Sequence, residues 1–228
     1  MKLITKITTL LLITLATIGC REINSLTDQN KKPIQGGAYE VLVVCNNAEW
    51  ESGFEPVDVA GEHPIRIRAP HHTPAEGDVI DVVIAPRMSF GTGHHTTTAL
   101  MTAHITNIGV EGLCGLDMGC GTGVLAIAAL KCGAEKMTAV DIDDWACDSC
   151  RDSIALSGVA DKVDVRCGSI DVVAGEKYDF ILANINRNIL LNMMPSFAEA
   201  LSSGGKLLMS GFFIDDAPVI ESAAAEYG

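Results

Sequence analysis

Basic residues are scarce in this chain: 16 Lys and Arg stand against 29 Asp and Glu, a net charge of −13 over 228 residues. A protein that tracks the phosphates of nucleic acid displays a basic face, so this balance argues against direct nucleic-acid binding. An acidic surface suits a basic protein partner instead. Aromatic residues are also few, at 5%, while apolar residues reach 48%. The core must then be built from Ala, Val, Ile and Leu, the composition of a buried parallel sheet. Metal-ligand spacing is nearly missing. Cys147-Asp-Ser-Cys150 lies inside a helical pattern with no second Cys or His pair to complete a site, and His71-His72, flanked by Pro70 and Pro74, reads as a surface pair. No metal is expected. The length suits one α/β domain plus an appendage.

What is present is concentrated between Gly115 and Asp143, GLDMGCGTGVLAIAALKCGAEKMTAVDID. A short apolar run, Leu116 to Met118, enters the turn Gly119-Cys-Gly121-Thr-Gly123. A helix-period segment follows, with Leu125, Ala128, Ala129 and Cys132 on one face and Gly133 as its stop. A second strand, Met137 to Val140, ends on Asp141. Strand, glycine turn, helix and strand closing on an acid is the layout of a nucleotide-type cofactor site. Glycines let the backbone approach a ligand where a side chain would collide. The Asp141 carboxylate can accept both hydroxyls of a ribose. A dinucleotide fingerprint, G-x-G-x-x-G, would need glycine where Val124 stands, and the residues after Asp141 are acidic (Asp143, Asp144). Since a helix N-terminus prefers anions, acidic surroundings favour a cofactor with positive charge and no phosphate. S-adenosylmethionine fits that description better than NAD.

Two further segments frame the turn: Pro86-Arg-Met-Ser-Phe-Gly-Thr-Gly-His-His-Thr-Thr-Thr98 upstream, and Tyr178-Asp-Phe-Ile-Leu-Ala-Asn-Ile-Asn186 downstream. The three in this order resemble the ribosomal protein L11 methyltransferase family, on Phe90 to Gly93, His95, Thr97, Thr98, the glycine turn, Ala183, Asn184 and Ile185. The likeness begins near Trp50 and runs to the end. It implies a Rossmann-like class I methyltransferase, with S-adenosylmethionine as cofactor and amino groups of ribosomal protein L11, lysine or N-terminal, as acceptors. By position it implies that Thr98, Gly119, Gly121, Asp141 and Asn184 hold the cofactor, with Asn184 also catalytic. The competing reading of Thr98 is the N-cap of a helix from Ala99 to Ile105, and one residue can serve both roles.

The implied chemistry asks little of side chains. A methyl sulfonium is already activated, so placing a neutral amine in line behind the methyl group is the main catalytic contribution. An α-amino group (pKa about 8) sheds its proton more readily than a lysine (about 10.4). Asn184 can accept a hydrogen bond from the amine and aim its lone pair. No general base is demanded, and His94 and His95 read as loop hydrogen-bonders rather than bases.

The likeness is expected to fail at both ends. Met1 to Cys20, MKLITKITTLLLITLATIGC, reads as a signal peptide whose apolar stretch is too short to span a bilayer, and its Ile-Gly-Cys ending resembles a lipoprotein cleavage site. The divisions expected are 1–20 as leader, 21–49 as a tether plus one strand (Tyr39 to Cys45) foreign to the family, 50–90 as a strand-rich linker, and 91–228 as the methyltransferase domain. The seam would lie between Cys45 and Gly53, from a fusion, a rearrangement or an assembly error. The last helix ends the chain where the family continues with two antiparallel strands. The leader points to a membrane-anchored lipoprotein, the body to the cytoplasm, and a non-catalytic envelope protein is the competing reading. Cys114, Cys120, Cys132 and Cys167 read as small buried hydrophobes in a reducing compartment. The fold class is therefore α/β, a doubly wound and mainly parallel sheet lacking its last strands. It has strands at Val163 to Cys167, Phe180 to Ala183 and Lys206 to Ser210, and helices at Trp145 to Leu156, Ile189 to Leu201 and Ala217 to Glu226.

Overall fold

A computed structural model describes residues 54–61, 63–85 and 96–227. The expected leader, tether and seam, and the Phe90–His95 segment with both loop histidines, lie outside the described residues. Among the described residues no helix is long and apolar enough to cross a membrane.

Alternating strands and helices give the expected doubly wound layer. Strands β4 (Cys114–Met118), β5 (Lys136–Asp141), β6 (Val163–Cys167), β7 (Tyr178–Asn184) and β8 (Leu201–Ser210) form one sheet in the order β6-β5-β4-β7-β8. All four pairings are parallel. Helices α1 (Thr96–Ile108), α2 (Val124–Lys131), α3 (Asp144–Leu156), α4 (Arg187–Ala200) and α5 (Ala217–Ala225) complete the layers. The two faces of the sheet carry separate cores. One gathers Met101, Ile105, Ile127, Met137, Phe180 and Leu182; the other gathers Leu116, Val140, Ile181, Leu190 and Phe197. Phe180 sets the spacing of the first: a Cβ on Gly115 would stand 2.3 Å from its ring, so β4 approaches β7 only because residue 115 has no side chain.

Three short strands sit beside this layer: β1 (Val57–Val59), β2 (Ile65–Arg68) and β3 (Ile80–Val83). β1 pairs antiparallel with β2, and β2 parallel with β3. β3 is an edge, and an edge strand offers unpaired backbone groups. Helix α3 answers them with hydroxyls one turn apart. Ser157 Oγ accepts from Val83 N (2.9 Å) and donates to Val83 O (2.7 Å), while Ser153 Oγ accepts from Ala85 N (2.9 Å). Arg68, buried at 8% exposure, forks Nε and Nη2 onto the two Asp81 oxygens. This small sheet lies over α2, whose residues Val124 through Leu130 are all buried.

Four local readings change. Helix α2 is covered on every side, not on the one apolar face read from its period, because β3 and α1 pack where solvent was expected. Helix α1 begins at Thr96, so Thr98 lies in its first turn and is not its N-cap. No gap separates the fourth helix from the strand expected at Lys206 to Ser210: β8 starts at Leu201, directly at the end of α4. The pairing jumps from Tyr178↔Leu201 to Phe180↔Lys206, so Ser202 to Gly205 bulge out of the strand. Strand β1 has no counterpart in the sequence reading.

Candidate active site

Strand β4 lies at the point where the order of the sheet reverses. The chain runs outward through β5 and β6, then crosses back to lay β7 and β8 on the other side. Loops leaving neighbouring strands in opposite directions open a crevice at their carboxyl ends, the usual ligand position in open α/β sheets. Gly119 follows β4, Asp141 ends β5 and Asn184 ends β7, three adjacent strands. Thr98 joins them from α1, its Oγ1 accepting from Asn184 Nδ2 at 3.2 Å. The family resemblance implied one site for these residues, and the fold brings them to neighbouring positions at one end of the sheet.

The glycine turn is a closed hydrogen-bond circuit. Gly119, Gly121 and Gly123 have φ of 75°, 53° and 77°, the left-handed region where other residues are strained. Val140 O accepts from both Gly119 N (2.8 Å) and Cys120 N (3.0 Å), Asp141 Oδ2 from Gly121 N (2.9 Å), and Cys120 O from Gly123 N (2.7 Å). The expectation that bare glycines make room for ligand needs amending at Gly119. A Cβ there would stand 2.2 Å from Ile185 Cγ2, so the glycine makes room for the residue after Asn184. At Gly123 the neighbour is Cys150 Sγ, 2.6 Å from the position of a Cβ.

Beneath the turn lies a residue the sequence reading passed over. Asp117, wholly buried on β4, accepts from Ala126 N in the first turn of α2 at 3.1 Å through Oδ2. Its Oδ1 has no hydrogen-bond partner among the described residues. Burial pushes its pKa up to about 7, the Ala126 amide pulls it down, and the charge of Asp141 adds to the rise. A carboxyl group thus already occupies the anion-favouring end of α2. With Asp141 beside it and the Gly119, Cys120, Gly121 and Gly123 amides spent, the turn is a poor cradle for phosphate and a good one for a cation. An acidic residue inside an apolar strand entering a glycine turn was the available signal.

Asp141 is held from two directions: Oδ2 by Gly121 N and Oδ1 by Asp143 N at 3.1 Å. Asp143 in turn N-caps α3, accepting from Trp145 N at 3.0 Å. Next to this fixed carboxylate, Ile142 and Trp145 stand 79% and 74% exposed. Two large apolar side chains in water beside a polar anchor offer a flat ligand a surface to cover.

The cysteines divide. Cys120 and Cys150 are buried, as expected for the former, and their mutual hydrogen bond together with burial pushes the Cys120 thiol well up. Burial raises Cys132 to about 11. Cys167 departs from the reading as a buried hydrophobe: it is exposed at the end of β6 and joined to Cys147 of α3. Among the described residues no cluster of His, Cys, Asp and Glu could hold a metal ion.

The chain is similar in sequence and fold to known proteins. A ribosomal protein L11 methyltransferase from Porphyromonas gingivalis is 44% identical over 185 residues, 80% of this chain and 62% of that protein. One from Bacteroides fragilis is 41% identical over 183 residues, 80% of this chain and 65% of the relative. This chain therefore spans less than two thirds of the length of these curated relatives. The crystal structure of a ribosomal protein L11 methylase from Lactobacillus delbrueckii subsp. bulgaricus superposes with a TM-score of 0.69 at 31% identity, covering 76% of this chain and 89% of that one. The model of the family "Ribosomal protein L11 methyltransferase (PrmA)" matches residues 26–227, which takes in most of the segment read as a foreign tether. By that match and these identities, the chain belongs to the ribosomal protein L11 methyltransferase family.

Proposed function

We propose that this chain binds S-adenosylmethionine at the carboxyl ends of β4, β5 and β7 and transfers its methyl group to amino groups, lysine or N-terminal, of ribosomal protein L11. The observation that carries the cofactor is the closed turn: four of its amides are spent internally and two carboxyl groups lie in and under it. Such a site rejects a pyrophosphate and accepts a cationic, phosphate-free adenosyl group. Asp141 then presents its remaining lone pairs to the ribose hydroxyls, and Ile142 and Trp145 supply apolar cover for a base.

When bound, S-adenosylmethionine supplies an activated methyl group, and the chain's own residues hold the acceptor. Asn184 Nδ2 is committed to Thr98, so Oδ1 is the amide atom left to accept from an incoming amine and direct its lone pair. The amine sheds its proton to water before it reacts, and the catalytic term is alignment. The names of the relatives supply the ribosomal substrate. The net charge of −13 is consistent with a basic protein partner and not with nucleic acid. We assign the working compartment to the cytoplasm, where that partner resides. A lipid anchor at Cys20 would instead place the chain at a membrane.

Isothermal titration of the full chain with S-adenosylmethionine and with S-adenosylhomocysteine, followed by tritiated methyl incorporation into purified ribosomal protein L11, tests the assignment. The expected result is saturable binding of both and label on amino groups. Binding of NAD without affinity for either adenosyl compound would overturn it.

A further inference from the structure

We propose that Cys147 and Cys167 form a reversible disulfide that low-molecular-weight disulfides can write and thiols can erase, a modification site on the rear of the Asp141 segment. The two residues come from different elements, the first turn of α3 and the last residue of β6, with Cα atoms 6.0 Å apart. That separation lies within the range that a disulfide bridges without backbone movement. Their surroundings divide the work. Cys167 is exposed, and Arg151 Nη2 stands 3.8 Å from its sulfur. A neighbouring cation favours the negatively charged sulfur that attacks in exchange. Cys147 is wholly buried, so an external disulfide reaches it only through Cys167.

The exchange balances in two steps. The Cys167 thiolate attacks one sulfur of the external disulfide, whose S–S bond breaks and releases one thiolate. Cys147 then loses its proton to water and attacks the Cys167 sulfur of the mixed disulfide, and the second external thiol leaves. Two protein thiols are oxidised and one external disulfide is reduced to two thiols. The other described cysteines lack this combination. Cys120 and Cys150 are both buried, and Cys114 and Cys132 have no cysteine joined to them.

The bond ties together the chain segments that hold the Asp141 carbonyl. Gly168 N, next to Cys167, donates to Asp141 O at 2.8 Å, and Cys147 Sγ lies 3.4 Å from the same oxygen. Oxidation removes the thiol proton that Cys147 can offer that carbonyl and replaces it with a covalent tie between α3 and β6.

The test treats the reduced full chain with excess oxidised glutathione, quenches in acid, alkylates with N-ethylmaleimide and maps the peptides by mass spectrometry. In the unsubstituted chain the Cys147 and Cys167 peptides should leave the alkylated pool as a linked pair, and dithiothreitol should return them. Cys147→Ser should trap glutathione on Cys167. Cys167→Ser should leave Cys147 unmodified until the chain is unfolded. A lasting glutathione adduct on Cys167 of the unsubstituted chain, with no linked pair, would overturn the proposal. So would a Cys167→Ser chain whose Cys147 reacts with glutathione as fast as the original chain.

Discussion

The two sides of the β4 crevice are built to different standards of rigidity. On the β5 side, Asp141 is fixed by two backbone amides, one from the glycine turn and one from Asp143, and the turn is itself pinned to Val140 O. On the β7 side, among the described residues, Asn184 is oriented by one side-chain hydrogen bond to a different element, at 3.2 Å to Thr98. Backbone amides cannot rotate away, whereas a hydroxyl and an amide on separate elements can part and re-form. The β5 side is therefore a preformed seat that suits the proposed cofactor. The β7 side can adjust, as the proposed macromolecular acceptor requires. Because one side is electrostatically fixed and the other positional, the two should fail differently when altered.

The largest effect is expected beneath the seat. Asp117 carries its folded pKa up to about 7 from 3.8 because it is buried. A carboxyl raised on folding contributes stability that is fully present below pH 3.8 and is lost as pH rises through about 7. The loss across that window is on the order of 4 kcal/mol at most, by linkage. Asp117→Asn cannot ionise, so urea unfolding from pH 4 to 8 should show a flatter stability curve and a more stable chain at pH 8. Equal slopes in the two proteins would mean that Asp117 ionises freely in the fold, and the seat would then lack its buried, reluctant charge.

Next in size is the seat itself. Asp141→Ala removes the charge-assisted hydrogen bonds proposed to the ribose, worth about 1.5–3 kcal/mol, and should weaken S-adenosylhomocysteine at least tenfold by calorimetry. It also frees Gly121 N, so part of the loss comes from a loosened turn. Asn184→Ala should behave oppositely. Methyl transfer to the ribosomal protein should fall by roughly tenfold, the worth of one net hydrogen bond of about 1.5 kcal/mol, with cofactor affinity changed by a smaller factor. If the Asn184 variant lost binding as severely as the Asp141 variant, the division between seat and aligning side would collapse.

How much of this was readable beforehand follows the same division. The turn, the acid ending β5 and the asparagine ending β7 are local in sequence, because glycine spacing and strand ends are set by short-range geometry. Their mutual contacts are not. Nothing in the order of residues tells that Ile185 fills the space over Gly119, or that Thr98 turns to Asn184 instead of capping its helix. Residues Ser149, Ser153 and Ser157 recur every fourth position as a polar stripe, yet all three are buried, Ser157 bonding Val83 of β3 and Ser153 bonding Ala85 just beyond it. Only the end of β3 and the two residues after it, Val83 to Ala85, about 70 positions earlier, make that stripe structural. β1, three residues long with Asp58 exposed, lacks the length for a period. Cys167 ends a strand of half-buried residues, so its exposure depends on the helix beside it.

The smallest effect tests whether Thr98 acts on its own or through Asn184. Thr98→Val keeps the shape and loses the hydroxyl that fixes the Asn184 amide. Asn184 is half-buried, so water can replace that partner, and the cost should stay within about 0.5–1.5 kcal/mol, a few-fold to tenfold in transfer rate. The size alone decides little, since a hydroxyl touching the cofactor directly would cost as much. Coupling decides it. If Thr98 serves by orienting Asn184, then once residue 184 is alanine the hydroxyl has nothing left to orient. The Thr98→Val, Asn184→Ala double variant should then transfer methyl groups no more slowly than Asn184→Ala alone, a coupling equal to the whole Thr98 effect. A direct cofactor contact predicts additive losses, and it predicts that Thr98→Val weakens S-adenosylhomocysteine binding even in the Asn184→Ala background. Calorimetry and single-turnover transfer on the four proteins of the cycle separate the two, and additive losses would move Thr98 from the aligning side of the crevice to the seat.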